Sequence, residues 1–230
     1  MRLRAIVVGI GLAVAGVAIG FFITRFLTPT PALIEGSPSS TTIDGRPVVD
    51  VQLTTVGSVG SGPHPNWVSY LNSNGDPDTY IHVPAGSVVR MTIEQQDSET
   101  PLRNEYFGLV RGTLGSDGTT NTPPSMTIQC DPTSKKDPNL SKYCGSVSAI
   151  DPTLTAHTFT IPDLGVSVPL LGVANVGNNV QNTVTVEFIA PSTPGEYRWQ
   201  CFVPCGAGTL YGNGGPMQTL GYMAGELQVS

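Results

Sequence analysis

The feature that most constrains this chain is a series of short strand-like runs set between clusters of turn residues. The runs are Val48–Leu53, Thr79–Val83, Ser87–Gln95, Ala156–Ile161, Asn182–Ile189, Gly195–Phe202 and Gly221–Val229. Several alternate apolar and polar residues with a period of two and are rich in Val, Ile, Thr and Tyr. The chain also contains 27 Gly and 20 Pro, and nothing after the first 25 residues keeps a helical period. Seven short strands in about 180 residues predict an all-β domain, an antiparallel sandwich or Greek-key barrel.

One segment near the N-terminus has a different character. Ala5 to Thr24 contains 20 residues without a charge, and a helix of that length spans about 30 Å of hydrocarbon. A secretory signal peptide is the alternative, but its apolar region is usually about 7–15 residues long and ends in an A-x-A-like site. The FLTPTPA that follows Arg25 is a poor match to such a site. We therefore expect one uncleaved transmembrane helix.

Basic residues set the expected orientation of that helix. Arg2 and Arg4 precede the apolar span and Arg25 follows it, so the positive-inside rule favours a cytoplasmic N-terminus. The rest of the chain would then lie on the periplasmic or extracellular side of the cell membrane.

These patterns divide the chain into three parts. We predict an anchor at 1–27, a spacer rich in Pro, Ser and Thr at 28–47 and a folded domain at 48–230. Within the domain, segments 112–150 and 166–181 are poor in strand formers, and we expect them to be loop-like insertions on one end of the sandwich.

The exported part is acidic. Beyond residue 25 it has 8 basic and 17 acidic residues, a net charge of −9. Nucleic-acid binding needs clustered Lys and Arg, and the sequence has no such cluster, which argues against that class of partner. Negative charge attracts a basic soluble partner. An acidic surface that only keeps the domain soluble is the alternative.

Two of the four cysteines lie in the first insertion. Cys130 and Cys144 are 14 residues apart in an exported loop that has no core of its own. A covalent link gains most in such a loop, about 3 kcal/mol for a loop of roughly 15 residues. The spacing predicts a Cys130–Cys144 disulfide.

The other two cysteines have different surroundings. Cys201 and Cys205 follow the strand-like run GEYRWQ and are separated by FVP. This spacing suits either a second disulfide or two thiolate ligands. The remaining soft or borderline ligands beyond the anchor are His64, His82, His157, Met91, Met126, Met217 and Met223. Thiolate, imidazole and thioether together select copper over harder metals.

The C-terminal part of the sequence resembles a known family. The run EFIAPSTPGEYRWQCFVPCGAG, closed by GYMAGELQV, is similar to the end of a cupredoxin domain, and in particular to the copper-binding domain of subunit II of haem-copper oxidases. That family has the loop motif C-x-x-x-C-G-x-x-H-x-x-M before its last strand. Cys201, Cys205 and Gly206 match the opening of this motif, and Met223 matches its close.

The resemblance extends upstream of the loop. His157, in AHTFTIPDLGVSVPL, stands in the place of the family's first histidine ligand, and IHVPAGSVVRMTIEQQD is similar to an early strand of the same fold. Together the matches cover about Val48 to Ser230. They imply a cupredoxin-like domain with His157, Cys201, Cys205 and Met223 as its metal ligands.

The second histidine of the family motif is absent. Counting from Cys201 places Thr209 at its position, and counting back from Met223 places Leu220 there. A glycine-rich insertion at 209–219 separates the two halves of the motif. A blue-copper site needs two His and one Cys in its plane, and a binuclear centre would lack one terminal ligand. We therefore expect a modified or lost copper centre, with less than one full binuclear copper centre in the isolated protein.

The resemblance implies a function and leaves alternatives open. The chain is expected to be a membrane-anchored subunit of a respiratory or related redox membrane complex, with integral membrane subunits as partners and a basic soluble electron carrier as a further one. One alternative is a copper-free structural or docking module with a Cys201–Cys205 disulfide, for which quinol-type oxidases are a family precedent. Another is a tethered electron carrier with one copper ion. The lost histidine favours the copper-free direction.

Each candidate ligand also has an ordinary structural interpretation. His157 suits a buried, hydrogen-bonded histidine, and Met223 suits core filling.

Signatures of other enzyme classes are absent from the sequence, among them G-x-S-x-G, H-E-x-x-H and the P-loop. The domain is thus expected to be non-catalytic by itself, with electron transfer as its contribution to a complex.

Overall fold

The structure is a computed structural model that describes residues 2–22, 33–60, 62–174, 176–177, 180–206 and 215–230, and within the first helix it describes the side chains of 10–21. The chain divides into two compact units, Met1–Pro31 and Ala32–Ser230. The first unit contains the helix α1 (Arg2–Phe22). Among the described residues, no helix is both long and apolar enough to cross a membrane. The end of the predicted anchor, 23–27, lies outside the described residues.

The second unit is a β-sandwich. Its described residues form thirteen strands: β1 (Leu33–Glu35), β2 (Ser37–Ile43), β3 (Arg46–Val56), β4 (Ser69–Leu71), β5 (Tyr80–Val83), β6 (Val88–Gln95), β7 (Met126–Gln129), β8 (Gly145–Val147), β9 (Thr155–Ile161), β10 (Val166–Leu171), β11 (Asn182–Ile189), β12 (Gly195–Gln200) and β13 (Ala224–Val229). Sheet 1 has the strand order β1-β5-β13-β12-β9-β10. Sheet 2 has the order β2-β3-β6-β11-β7-β8, with β4 paired to β3.

All seven strands predicted from the sequence are present, as β3, β5, β6, β9, β11, β12 and β13. The period-two pattern is visible in their burial, since residues of β6 and β11 alternate between buried and half-buried positions. The all-β prediction is confirmed. The expectation of purely antiparallel sheets is wrong, because β1 and β13 both pair with β5 in parallel and β3 pairs with β6 in parallel. Alternation predicts which face a residue occupies, not the direction of the neighbouring strand.

The predicted spacer is wrong from residue 33 onward, because this segment forms the first edge strand of each sheet. β1 pairs with β5 in sheet 1 and β2 pairs with β3 in sheet 2. Edge strands need few apolar residues and tolerate proline such as Pro38. Gly36 connects the two strands where an added Cβ would lie 3.3 Å from the Val49 Cβ and 3.2 Å from the His82 carbonyl oxygen.

The predicted insertions are only partly loops. Val166–Leu171 is the strand β10, and all six of its residues are buried. A strand covered on both faces has no alternation to detect, which explains the error. Segment 112–150 carries β7 and β8 at the edge of sheet 2. In the predicted insertion 209–219, residues up to 214 lie outside the described residues, and Gly215–Met217 forms a 3-10 turn.

The predicted disulfide is confirmed. Cys130 directly follows β7 and Cys144 directly precedes β8, and the two sulfurs are bonded across a Cα–Cα distance of 5.5 Å. Since β7 and β8 are antiparallel neighbours, the bond closes the base of the long loop between them.

An aromatic cluster fills the interior of the sandwich. Tyr70, Phe159 and Trp199 are fully buried, and the Trp199 ring centroid lies 5.0 Å from that of Tyr70 and 4.7 Å from that of Phe159. The Trp199 indole N–H donates to the Thr79 carbonyl oxygen at 3.1 Å. The neighbouring Gly225 has no room for a side chain, because an added Cβ would overlap that same Thr79 oxygen. These contacts hold β5, β12 and β13 at fixed positions.

Candidate metal centre

Three of the four predicted ligands come together in the folded domain. His157 on β9, Cys201 just after β12 and Cys205 have side-chain ligand atoms that all lie within 4.8 Å of one another. His157 and Cys201 have no exposed surface and Cys205 is 8% exposed. Both cysteines are free thiols, with their sulfurs 3.4 Å apart.

Local backbone contacts explain this arrangement. β9 and β12 are neighbours in sheet 1, with Gln200 opposite Thr160. The Cys201 sulfur accepts hydrogen bonds from the backbone N–H groups of Thr158 and Val203, each at 3.4 Å. The N–H of Cys205 donates to the Val203 carbonyl oxygen at 2.7 Å, so the chain turns tightly between the two cysteines.

Met223 adjoins this loop through its backbone. Its carbonyl oxygen accepts the N–H of Cys201 at 2.8 Å, and its own N–H donates to the Pro216 carbonyl oxygen at 2.9 Å. The Met223 side chain is fully buried in the core cluster that also contains both cysteines. This placement is consistent with Met223 as a metal ligand and also with Met223 as an ordinary core residue.

The two other histidines are engaged elsewhere. The exposed His64 ring stacks on Trp67 with centroids 3.7 Å apart. His82 lies between Glu35 and Ser230, with its Nδ1 2.6 Å from the Glu35 carboxylate and its Nε2 2.7 Å from the Ser230 hydroxyl. Neither belongs to the cluster of ligand atoms that the described residues form.

Of the two positions proposed for the missing histidine, the structure describes one. Thr209 lies outside the described residues. Leu220 is half-buried and forms an isolated parallel bridge with Ala224, and its side chain offers no ligand atom.

Asp97 is a site residue that the sequence interpretation missed. Its Oδ2 lies 3.2 Å from Nε2 of His157, and its Oδ1 accepts the Ser98 N–H at 2.9 Å. Asp97 follows β6 of sheet 2, whereas His157 lies in sheet 1, so this pair joins the two sheets. A carboxylate on the outer nitrogen of a histidine is the usual means of orienting a metal-binding imidazole.

The buried groups change one another's protonation. Burial lowers the pKa of His157, but its hydrogen bond to Asp97 and its interaction with Cys201 outweigh burial and raise that pKa to about 9. Burial raises the pKa of Cys201, yet the hydrogen bond with Cys205 and the neighbouring His157 bring it well below its usual value. The pKa of Cys205 is raised by its hydrogen bond with Cys201 and by burial. The opposite directions of the two shifts favour the thiolate form at Cys201 over the thiolate form at Cys205.

The donor set fits a soft metal ion. His157 Nδ1 is a buried ring nitrogen with no hydrogen-bond partner in the described part of the chain, although buried polar atoms are rarely left unpaired. Two sulfurs and one imidazole nitrogen are donors that bind Cu(I) or Zn²⁺ in preference to harder cations. A metal ion held by Cys201 and Cys205 would also satisfy His157.

Among known proteins, only solved structures show a similarity to this chain. No protein-family model matches the chain, and no curated protein matches it. Among solved structures, the chain is similar to the metal-binding domain, with Cu(I), of the Streptococcus pneumoniae Cu(I)-exporting P-type ATPase CopA. That match has 10% identity and a TM-score of 0.33, and it covers 88% of this chain and 99% of that one. Rusticyanin from Thiobacillus ferrooxidans matches with 16% identity and a TM-score of 0.32, over 85% of this chain and 87% of that one. Similarity at this level transfers no residue and no function to this chain.

Proposed function

We propose that this chain is a cupredoxin-like electron-transfer subunit that binds a single copper ion through His157, Cys201 and Cys205. The observation that carries the proposal is the convergence of three buried donor atoms within 4.8 Å, with no disulfide between the cysteines and an unpartnered nitrogen on the histidine. The resemblance of the C-terminal motif to oxidase subunit II supports the same chemistry. We propose a redox membrane complex of the respiratory kind as its setting.

The residues around the donors suit electron transfer. Copper, when bound, accepts and donates one electron at a time. The backbone N–H groups of Thr158 and Val203 stabilise negative charge on Cys201, and Asp97 fixes the orientation of the His157 ring. Complete burial of His157 and Cys201 excludes water. A site held by two β-strands and two backbone hydrogen bonds needs little rearrangement when the charge changes.

One copper ion accounts for the donors better than two. A binuclear centre needs a terminal imidazole for each ion, and His157 is the single histidine in the described cluster. His64 and His82 are occupied by Trp67 and Glu35. We therefore propose a mononuclear site, with the buried Met223 thioether as the candidate for a weak additional ligand.

Elemental analysis and electron paramagnetic resonance test this proposal. The full chain, purified from its membrane under reducing conditions and loaded with copper, is expected to hold about one ion per chain, without a mixed-valence signal. His157→Gln is expected to lose the ion. The matched change His64→Gln, at an exposed histidine, is expected to retain it. Retention of copper by His157→Gln would refute the proposed ligand set.

A copper-free form is the second candidate, and the 3.4 Å separation of the two sulfurs favours it specifically. A disulfide of an oxidising partner protein would take two electrons and two protons from Cys201 and Cys205, leaving a bond between their sulfurs. The domain would then be a structural or docking module. Mass mapping without reductant distinguishes the forms, because a Cys201–Cys205 crosslink in protein taken directly from its membrane would support the copper-free candidate.

We further propose that segment 1–27 anchors the domain in the cell membrane, with Ala32–Ser230 on the extracytoplasmic side. The uncharged run in α1 and the Cys130–Cys144 disulfide support this location. The net charge of −9 beyond residue 25 supports a basic soluble electron carrier as partner, beside integral membrane subunits. Protease added to intact cells is expected to cleave the domain, and protection from outside would exclude this topology.

A further inference from the structure

The loop that the Cys130–Cys144 disulfide closes contains an asparagine that the metal centre does not use. The residues Asn139-Leu140-Ser141 match the N-x-[ST] acceptor pattern, whose middle residue is not proline. The chain has 11 asparagines, and no other one is followed two positions later by Ser or Thr. Because a three-residue pattern also arises by chance, the surroundings of Asn139 must supply independent evidence.

Asn139 lies on the surface of the loop with its side chain uncommitted. The residue is exposed, and its backbone N–H donates to the Asp137 carboxylate at 2.8 Å. Within the part of the chain that the structure describes, neither the Asn139 amide group nor the Ser141 hydroxyl has a hydrogen-bond partner. A sugar attached to the Asn139 side-chain nitrogen would therefore displace no contact of the fold and would extend into solvent.

The two residues that follow Asn139 are held more tightly. Leu140 is 5% exposed and belongs to the core cluster, and Ser141 begins the 3-10 turn Ser141–Tyr143. The N–H groups of Leu140 and Ser141 both donate to the Asp137 carbonyl oxygen, at 3.2 and 2.8 Å. An enzyme cannot close around residues 139–141 without withdrawing Leu140 from the core. The acceptor pattern is thus accessible in the unfolded loop and blocked in the folded one, although the folded loop has room for the product.

We propose that Asn139 is an N-glycosylation site that is modified as the chain crosses the membrane, before the loop folds and its disulfide forms. The donor is an oligosaccharide linked through phosphate to a membrane lipid. Asn139 Nδ2 forms a bond to the anomeric carbon of the sugar, the bond from that carbon to the lipid phosphate breaks, and the amide loses one proton. The lipid phosphate leaves with the electron pair of the broken bond. This proposal rests on the extracytoplasmic location given under the proposed function, and not on copper.

Mass spectrometry of the full chain purified from its own membrane tests the site. We expect the peptide that contains residues 139–141 to carry a sugar mass, and we expect both Asn139→Gln and Ser141→Ala to lose it completely. Ser141→Thr keeps the hydroxyl and should retain the sugar. The matched control is Asn121→Gln, because Asn121 is exposed but has Pro123 two positions later, and this change should leave the modification intact. An unmodified peptide in the parent chain, or a sugar that persists in Ser141→Ala, would overturn the assignment.

The proposed order of modification and folding is tested on full chain produced in a host without the modifying enzyme. This chain is offered to membranes that contain the enzyme and its lipid-linked donor, either folded with the disulfide intact or reduced and unfolded. Since access to Leu140 in the folded chain requires local opening, we expect modification of the folded chain to be at least about tenfold slower. Equal rates would show that the folded loop is itself a substrate and would overturn the order.

Protease treatment of intact cells separates the modification from the location that it requires. If the domain is cleaved from outside and Asn139 carries no sugar, the modification is refuted and the location stands. If the domain is protected and Asn139 carries no sugar, both are refuted. A glycosylated chain that binds no copper would confirm the Asn139 site and refute only the metal centre.

Discussion

The two cysteine pairs of this domain differ in their bonding and in their surroundings. Cys130 and Cys144 lie at the edge of sheet 2 and are joined by a disulfide. Cys201 and Cys205 lie in the core, 3.4 Å apart and unbonded, beside a buried histidine. The first pair closes a loop that has few apolar residues of its own, whereas the second pair converges with other donors. The surroundings of the cysteines, rather than their spacing alone, distinguish a pair that closes a loop from a pair that lies among other donor groups.

Removal of the core pair is expected to give the largest effect. Cys201→Ser and Cys205→Ser each delete a sulfur donor, and we expect each to weaken copper binding by more than about 100-fold, beyond the range typical of residues outside the ligand set. Competition with a copper chelator measures the affinity. An unchanged affinity in either variant would break the proposed contrast between the two pairs.

Removal of the edge pair is expected to affect stability instead. Cys130→Ala with Cys144→Ala opens a loop of roughly 15 residues and should lower the free energy of unfolding by about 3 kcal/mol. Copper content per folded chain should stay the same, because neither residue belongs to the cluster of ligand atoms around His157. Urea unfolding and elemental analysis test the two halves of this prediction. Loss of copper by the folded variant would show that the loop contributes to the metal centre.

Asp97→Asn tests how much the carboxylate that contacts His157 contributes to copper binding at the core pair. The variant keeps the shape of the side chain but loses the carboxylate that lies 3.2 Å from His157 Nε2. We expect copper affinity to fall about 10- to 100-fold, as is typical when such an outer partner is lost. The reference is Asp50→Asn, at a carboxylate that pairs with Arg90 on the outside of sheet 2. An equal loss in both variants would point to a general effect of charge.

Acidification is expected to give the smallest effect, a loss of stability in the loop that the Cys130–Cys144 disulfide closes. The Asp131 carboxylate accepts the N–H groups of Thr133 and Ser134 in the disulfide loop. Burial raises the pKa of Asp131, but hydrogen bonds from Ser134 and Thr133 outweigh burial and lower it below its usual value. A lowered pKa contributes stability that is present above the ordinary carboxyl pKa and is lost as the pH falls below about 4. Asp131→Asn should remove about 1 kcal/mol at pH 7, and urea titrations of both proteins should converge in acid.

Several of the strands that the sequence predicted have one buried face and alternate, as β6 and β11 do, whereas β9 was predicted although all of its residues are buried. The sequence patterns missed β2, which is an edge strand with few apolar residues, and β10, which is buried on both faces and has no period. The Cys130–Cys144 disulfide was predicted from the spacing of two cysteines in a segment expected to be a loop of an exported domain. Neither propensity nor alternation distinguishes parallel from antiparallel neighbours, so the direction of β3 and β6 came only from the structure.

The site was predictable where it is local in sequence. Cys201 and Cys205 belong to one short motif, and the resemblance added His157. Asp97 is 60 residues from His157 and is one of 17 acidic residues, so no pattern marks it. Partners that only the packing of two sheets brings together leave no trace in the spacing of the sequence.

X-ray absorption at the copper edge tests the central claim most directly. It reports the donor atoms around copper in the loaded full chain, whatever the rest of the fold contributes. We expect a shell of sulfur scatterers from Cys201 and Cys205 with imidazole scattering from His157, and no copper–copper vector. A short copper–copper vector would show that a second imidazole completes a binuclear centre. A shell of nitrogen and oxygen without sulfur would show that the core cysteines do not bind the metal.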